Sequence, residues 1–143
     1  MRPFDFFVWL PNLYGMRLLL FSFLTLTGFS CSQGGVQAQT KTSVDDFEAL
    51  LTKGDALQLV DVRTPEEYAA GHLEGAKLID FYEEGFSQEL EQLDKKRPVL
   101  VYCASGNRSG KTAVLLGEMG FKKIYDLDGG IKAWRASGKK TVE

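Results

Sequence analysis

From Ser43 onward, short apolar strand runs alternate with capped helical segments, and this alternation constrains the fold more tightly than any other feature of the chain. Ser43 is placed to cap a helix carrying Phe47, Leu50 and Leu51 at helical spacing, which Gly54-Asp55 breaks. Leu57-Gln58-Leu59-Val60-Asp61-Val62 reads as a buried strand. Thr64-Pro65-Glu66-Glu67 is a capping box with proline at the first helical position; its short helix runs to Ala70 and stops at Gly71. Ala76 to Ile79 reads as a brief strand and Phe86 to Leu93 as a helix. Pro98 introduces the most apolar strand run, Val99-Leu100-Val101-Tyr102, which ends at Cys103. A Gly- and Ser-rich turn follows, then a helix from Ser109, its expected N-cap, to Met119. Ile124-Tyr125 is a last short strand, and Gly129-Gly130 opens a final helix with Ile131 and Trp134. The pattern predicts an α/β fold: a small, mostly parallel sheet with helices on both faces. In such folds ligands bind at the carboxyl ends of the strands, which is where Cys103 falls.

The chain of 143 residues fits one such domain plus a leader. A net charge of -2 with mixed signs gives no basic footprint for nucleic acid. Lys95-Lys96-Arg97 reads as a loop before a strand rather than a binding patch. There are two cysteines, Cys31 and Cys103, in regions of very different composition, so no disulfide framework is expected. No His/Cys cluster has metal-ligand spacing, and neither a metal nor another cofactor is expected.

Residues 1–31 read as a leader. Met16-Arg17 precedes the apolar run Leu18 to Leu26, which is a positive n-region and a short h-region. The run is shorter than the roughly 20 residues a spanning helix needs. Asp5, Pro3 and Pro11 fit a signal poorly, so translation is expected to start at Met16. Two processing sites compete. Gly28-Phe29-Ser30-Cys31 resembles a bacterial lipoprotein box with Cys31 as the lipidated residue, although Gly28 stands where that box usually has Leu. Val36-Gln37-Ala38 suits ordinary signal peptidase cleavage. The lipoprotein reading is preferred, with a bacterial exported location, periplasmic or lipid-anchored to the membrane. Residues 32–42 read as a flexible linker and 43–143 as the domain, acidic overall once the leader is removed.

The chemistry is expected in Cys103-Ala104-Ser105-Gly106-Asn107-Arg108-Ser109. A strand-to-helix turn curls backbone N–H groups around one point, and the first helical N–H groups lack internal partners. With Arg108 nearby, such a turn favours the Cys103 thiolate. It also suits the outer sulfur of a persulfide or a donor oxyanion. Gly106 allows the tight turn. Three readings compete. Ser105 to Thr112 is one residue from a P-loop, G-x-x-x-x-G-K-[ST], but Ser105 replaces the first glycine. Cysteine phosphatases resemble this loop but place five residues between Cys and Arg, giving a ring wide enough for phosphate. Here four residues separate Cys103 from Arg108, a smaller ring that suits one sulfur atom.

The third reading rests on three segments in order. Leu59 to Tyr68, followed by Gly71-His72-Leu73-Glu74-Gly75-Ala76, resembles the N-terminal signature of the rhodanese family. Cys103-x-x-Gly106-x-Arg108 resembles its six-residue active-site loop, and Asp128-Gly129-Gly130-Ile131-x-Ala133-Trp134 its C-terminal signature. The likeness spans residues 43–141. The second loop position, often Arg in that family, is Ala104 here.

The resemblance implies a rhodanese-like three-layer sandwich and a sulfurtransferase. Cys103 would take a sulfane sulfur from thiosulfate or a persulfide and pass it to a thiol, a thiol protein or cyanide. Ala104, Ser105, Gly106, Asn107, Arg108 and Ser109 would form the substrate loop. Arg108 is either an anion contact or a fork holding loop carbonyls. Asp61 and Arg63 are implied to be structural, and His72, the sole histidine, is read as a structural hydrogen-bonding residue after the short helix. Trp134 and Phe121 are expected in the core. The rival to enzymatic transfer is a sulfur-carrier or protein-binding module on the same fold.

Overall fold

The computed structural model describes residues 39–53 and 57–143. The leader, its start at Met16, its processing sites and Cys31 lie outside the described residues. So do the helix-breaking Gly54-Asp55 and linker residues 32–38.

The elements are β1 (Gln39–Thr42), α1 (Val44–Leu51), β2 (Gln58–Asp61), α2 (Pro65–Ala69), β3 (Lys77–Leu78), α3 (Phe86–Glu91), β4 (Val99–Tyr102), α4 (Asn107–Glu118), β5 (Ile124–Leu127) and α5 (Gly130–Ala136). The strands form one sheet in the order β1-β5-β4-β2-β3, and every described pairing within it is parallel. This is the α/β class that the strand–helix alternation predicts.

One expectation is corrected. Residues 39–42, read as the end of a linker, are strand β1, which lies beside β5 with Gln39 opposite Ile124 and Thr42 opposite Leu127. Their polar composition follows from the edge position, where Thr40 and Lys41 are exposed. The domain therefore includes Gln39.

The two-residue period of β4 sorts the core into two layers. Val99 and Val101 face one side with Val60, Val62, Ile124 and Cys103, covered by Leu90 of α3 and by Ala113 and Leu116 of α4. Leu100 and Tyr102 face the other with Leu59 and Leu127, covered by Phe47 of α1 and by Ile131 and Trp134 of α5. Phe47 and Trp134 meet edge to face with centroids 6.4 Å apart. Helices thus cover both faces, as buried parallel strands require.

The helix starts differ in chemistry. At α1, the Ser43 hydroxyl accepts from the Asp46 N–H at 3.2 Å. At α2 the capping box is complete: Thr64 accepts from the Glu67 N–H at 3.4 Å, and Glu67 accepts from the Thr64 N–H at 3.0 Å. At α4 the expected cap is corrected. Gly106 occupies that position with φ 91° and ψ -5°, and Ser109 lies inside the first turn. The left-handed conformation that only glycine adopts freely sets the cap three residues early. That shift turns the Ser109 hydroxyl away from capping and toward the strand end.

Candidate active site

Cys103 sits just after β4 at the carboxyl edge of the sheet, 1% exposed, on the α4 side. The turn from β4 into α4 folds back over it. The Gly106 N–H donates to Sγ at 3.1 Å, and the Ser109 hydroxyl lies 3.5 Å from it. Burial pushes the thiol pKa up. The Ser109 hydroxyl and the N–H groups of Ser109, Ser105 and Gly106 outweigh burial, so the thiol ionises below its ordinary value. The ring of donors expected from a strand-to-helix turn is built here by backbone and one hydroxyl.

The loop is held from outside by α5. The N–H of Ile131 donates to the Cys103 carbonyl at 2.9 Å, and that of Lys132 to the Ala104 carbonyl at 3.2 Å. Gly130, at φ 61°, packs so closely that a Cβ there would lie 2.4 Å from the Cys103 carbonyl oxygen. The Gly129-Gly130 pair is therefore the seat of the loop as well as a helix start.

Arg108 is held by α2. Its Nη1 and Nη2 each donate to Glu67 of α2 at 2.7 Å, and no loop carbonyl accepts from it. The guanidinium also lies 5.6 Å from the centroid of the exposed Tyr82 ring. The Arg108 guanidinium draws the Glu67 carboxyl down to a pKa of about 2 against the cost of partial burial. The reading of Arg108 as a fork for loop carbonyls is thus corrected: the backbone N–H groups of α5 perform that task, which leaves the fork free for a carboxylate. Sequence reasoning saw Glu67 only as a capping residue. Its second function joins positions 41 apart in the chain.

Ala104 is half-buried, while Ser105 and Asn107 are exposed on the rim. Asp61 and Arg63 lie elsewhere. Asp61 pairs in register with Tyr102 and so faces the α1/α5 side, opposite the Cys103 sulfur. Arg63 Nη2 donates to Asp61 at 2.6 Å and to the Gly71 carbonyl at 2.9 Å. The Tyr102 hydroxyl accepts from the Leu73 N–H at 3.0 Å. This buried cluster ties the end of β2 to the chain between α2 and β3. His72 belongs to the same connection: its ring stacks on Tyr68 at 3.7 Å, and its backbone exchanges hydrogen bonds with Val142 at 2.7 and 2.9 Å.

Sequence reasoning missed Asp126 altogether. It is fully buried on β5, and among the described residues neither carboxyl oxygen has a hydrogen-bond partner. The signal was present: an acid within the apolar run Ile124-Tyr125-Asp126-Leu127 must be buried if that run is a strand. Among the described residues, no group of His, Cys, Asp and Glu is arranged to hold a metal. A cleft of about 820 Å³ lies on the α1/α5 side, bordered by Leu59, Leu73, Trp134 and Lys139, and no residue of the 103–109 loop lines it.

A buried thiol at the carboxyl edge of a five-stranded parallel α/β sheet fits the rhodanese-like domain family, which matches residues 43–137, and the chain belongs to that family. The thiosulfate sulfurtransferase GlpE of Pseudomonas entomophila is 36% identical over 90 residues, which span 63% of this chain and 81% of that protein. GlpE of Pseudomonas putida F1 is 37% identical over 87 residues, 61% of this chain and 77% of the relative. Among solved structures, a rhodanese-like domain protein from Staphylococcus aureus superposes with a TM-score of 0.59 at 32% identity, covering 66% of this chain and 91% of that one. A rhodanese-related protein from Thermoplasma volcanium gives 0.63 at 26% identity, covering 71% and 96%.

Proposed function

We propose that the domain is a thiosulfate-type sulfurtransferase in which Cys103 carries sulfur as a persulfide. The observation that carries this reading is the Cys103 sulfur itself, buried and ringed by the Gly106 N–H, the Ser109 hydroxyl and further loop amides. In the first step the Cys103 thiolate attacks the outer sulfur of thiosulfate. A Cys103 S–S bond forms, and the bond to the sulfonyl sulfur breaks. Sulfite leaves with the electron pair, and the charge of -3 carried by thiolate and thiosulfate reappears on persulfide and sulfite. In the second step cyanide or a thiolate attacks the outer sulfur, giving thiocyanate or a new persulfide and restoring the thiolate. No proton donor is needed in either step, which accords with a loop built from hydrogen-bond donors.

The fate of Arg108 favours sulfur over phosphate. A phosphatase needs its loop guanidinium for the phosphate oxygens, whereas both terminal nitrogens of Arg108 are committed to Glu67. The test is an intact mass of the protein after incubation with thiosulfate. A gain of one sulfur atom that is absent in Cys103→Ser supports the reading. No gain with thiosulfate or a small persulfide overturns it and leaves a binding module.

The leader extends the proposal. If residues 1–31 direct export, through Cys31 lipidation or ordinary cleavage, Cys103 works outside the reducing cytoplasm and depends on a thiol acceptor there. The mass of the mature N-terminus in cells decides between a lipidated Cys31, cleavage after Ala38 and an unprocessed chain.

A further inference from the structure

Asp126 is a buried carboxyl that the proposed transfer steps leave unused. Its position follows from the sheet. Asp126 pairs with Val101 of β4 and with Lys41 of β1, so its side chain shares their face, the α4 side that also holds Cys103. Directly above is the first turn of α4. A Cβ on Gly110 would stand 3.6 Å from Asp126 Oδ2, so the absence of a side chain there leaves the carboxyl its room. Ser109, the preceding residue, is fully buried, and its hydroxyl is near enough to oppose the rise of the Asp126 pKa, although no hydrogen bond joins the two in the structure. The Ser109 hydroxyl therefore lies between two groups, the Cys103 sulfur and the Asp126 carboxyl.

A hydroxyl has one proton to give and two lone pairs with which to accept. A protonated carboxyl can donate to Ser109 Oγ, which leaves the Ser109 proton for the sulfur. An ionised carboxylate only accepts, so it competes with the sulfur for that same proton. We propose that Asp126 is a positioning residue for Cys103: its protonated carboxyl directs the Ser109 hydroxyl onto the sulfur, and its ionisation draws the hydroxyl away. The surroundings favour the protonated form. Burial raises the Asp126 pKa, opposed by the Ser109 hydroxyl and by Lys41, with Asp128 adding to the rise. The charged and titratable groups around it are Lys41 on β1, Asp128 just beyond its own strand and Cys103 after β4. Lys41 is itself bound to Asp128 at 3.0 Å, and Arg108 of α4 is bound to Glu67. Asp126 and Cys103 then titrate as a coupled pair through one hydroxyl.

The proposal rests on Cys103 being a reactive thiolate but not on the sulfur it carries, so the test uses alkylation rather than transfer. The rate of iodoacetamide modification, read at the Cys103 peptide in the full chain, is followed against pH for wild type, Asp126→Asn, Ser109→Ala and the double variant. Wild type is expected to show two ionisations and Asp126→Asn one, with Asp126→Asn alkylating about threefold faster at pH 7. In the Ser109→Ala background the same substitution is expected to change the rate by less than a third of that amount. Superimposable profiles for wild type and Asp126→Asn overturn the proposal. An Asp126→Asn effect of equal size with and without Ser109 overturns the hydroxyl as its route. A second measurement needs no change at Asp126: its carboxyl carbon shift is followed by NMR against pH in wild type and in Cys103→Ser. A midpoint above the ordinary range that moves when the thiol is removed supports the coupling, and an ordinary or unmoved midpoint overturns it. Absence of a persulfide would sink the transfer reading alone.

Discussion

At the scale of single residues, the reactivity of Cys103 depends on how many donors its sulfur keeps once buried. Burial alone would favour the neutral thiol, and the loop reverses that with the Ser109 hydroxyl and three backbone N–H groups. The backbone donors survive almost any side-chain change, so Ser109 is the term a substitution can remove. A hydrogen bond to a charged acceptor contributes about 1.5–3 kcal/mol, and this one is long at 3.5 Å, which places it near the lower end. Ser109→Ala is therefore expected to raise the alkylation midpoint of Cys103 by about one pH unit. The sulfur sits in the same place, so the intact-mass assay should still show persulfide at alkaline pH. An unchanged midpoint would mean that the backbone alone activates the thiol. Asp61 and Arg63 stand apart from this chemistry: their pair faces the other side of the sheet, with Arg63 bound to the Gly71 carbonyl.

At the scale of elements, the site is where the end of β4 and the starts of α4 and α5 converge, and the start of α5 holds the other two in register. Gly130 sits at φ 61°, with its missing Cβ 2.4 Å from the Cys103 carbonyl oxygen. Gly130→Ala must displace the active-site backbone as well as adopt a left-handed conformation, so a loss of about 3 kcal/mol or more is expected, with alkylation no longer activated. Gly75 is the control. It has φ 78° and open space around its Cβ position, so Gly75→Ala should cost only the conformational term, about 1–2 kcal/mol, and leave Cys103 unaltered. Urea unfolding of both variants compares the costs, and equal losses would refute the role given to close approach. Much of this level was legible in the sequence. The capping box at Thr64, the strand Val99–Tyr102 and the glycine pair at 129–130 each carry a local signal that the fold uses. What was illegible depends on partners distant in the chain. Gln39–Thr42 is polar and becomes a strand only because β5 offers an edge. Arg108 finds Glu67 across 41 positions, and Ser109 yields the cap to Gly106 because the loop must close over a sulfur.

At the scale of the whole molecule, two carboxyls near the site pull the stability profile in opposite directions with pH. Glu67 is drawn from an ordinary 4.5 to about 2 by Arg108, so the folded state binds fewer protons than the unfolded chain between those values. Its contribution is fully present above the unfolded value and is lost as pH falls through that window. Asp126 is the reverse case. Burial raises its pKa, so above the ordinary 3.8 the folded state holds a proton that the unfolded chain has released, and stability falls as pH rises. Glu67 has a side chain 34% exposed, and solvent screening limits its contribution to about 1 kcal/mol. For a domain of this size that is about 4–8 °C in Tm. Glu67→Gln should therefore lower Tm by about that much at neutral pH and converge on wild type as pH approaches 2. Asp126→Asn should gain on wild type as pH rises from 4 to 8, because it removes an acid whose ionised form is disfavoured by burial. Thermal unfolding from pH 2 to pH 8 tests both signs at once. A Glu67→Gln deficit that persists undiminished at the acid end would show that the pair contributes packing rather than charge. An Asp126→Asn difference that does not grow with pH would mean that Asp126 ionises as freely in the fold as in the unfolded chain.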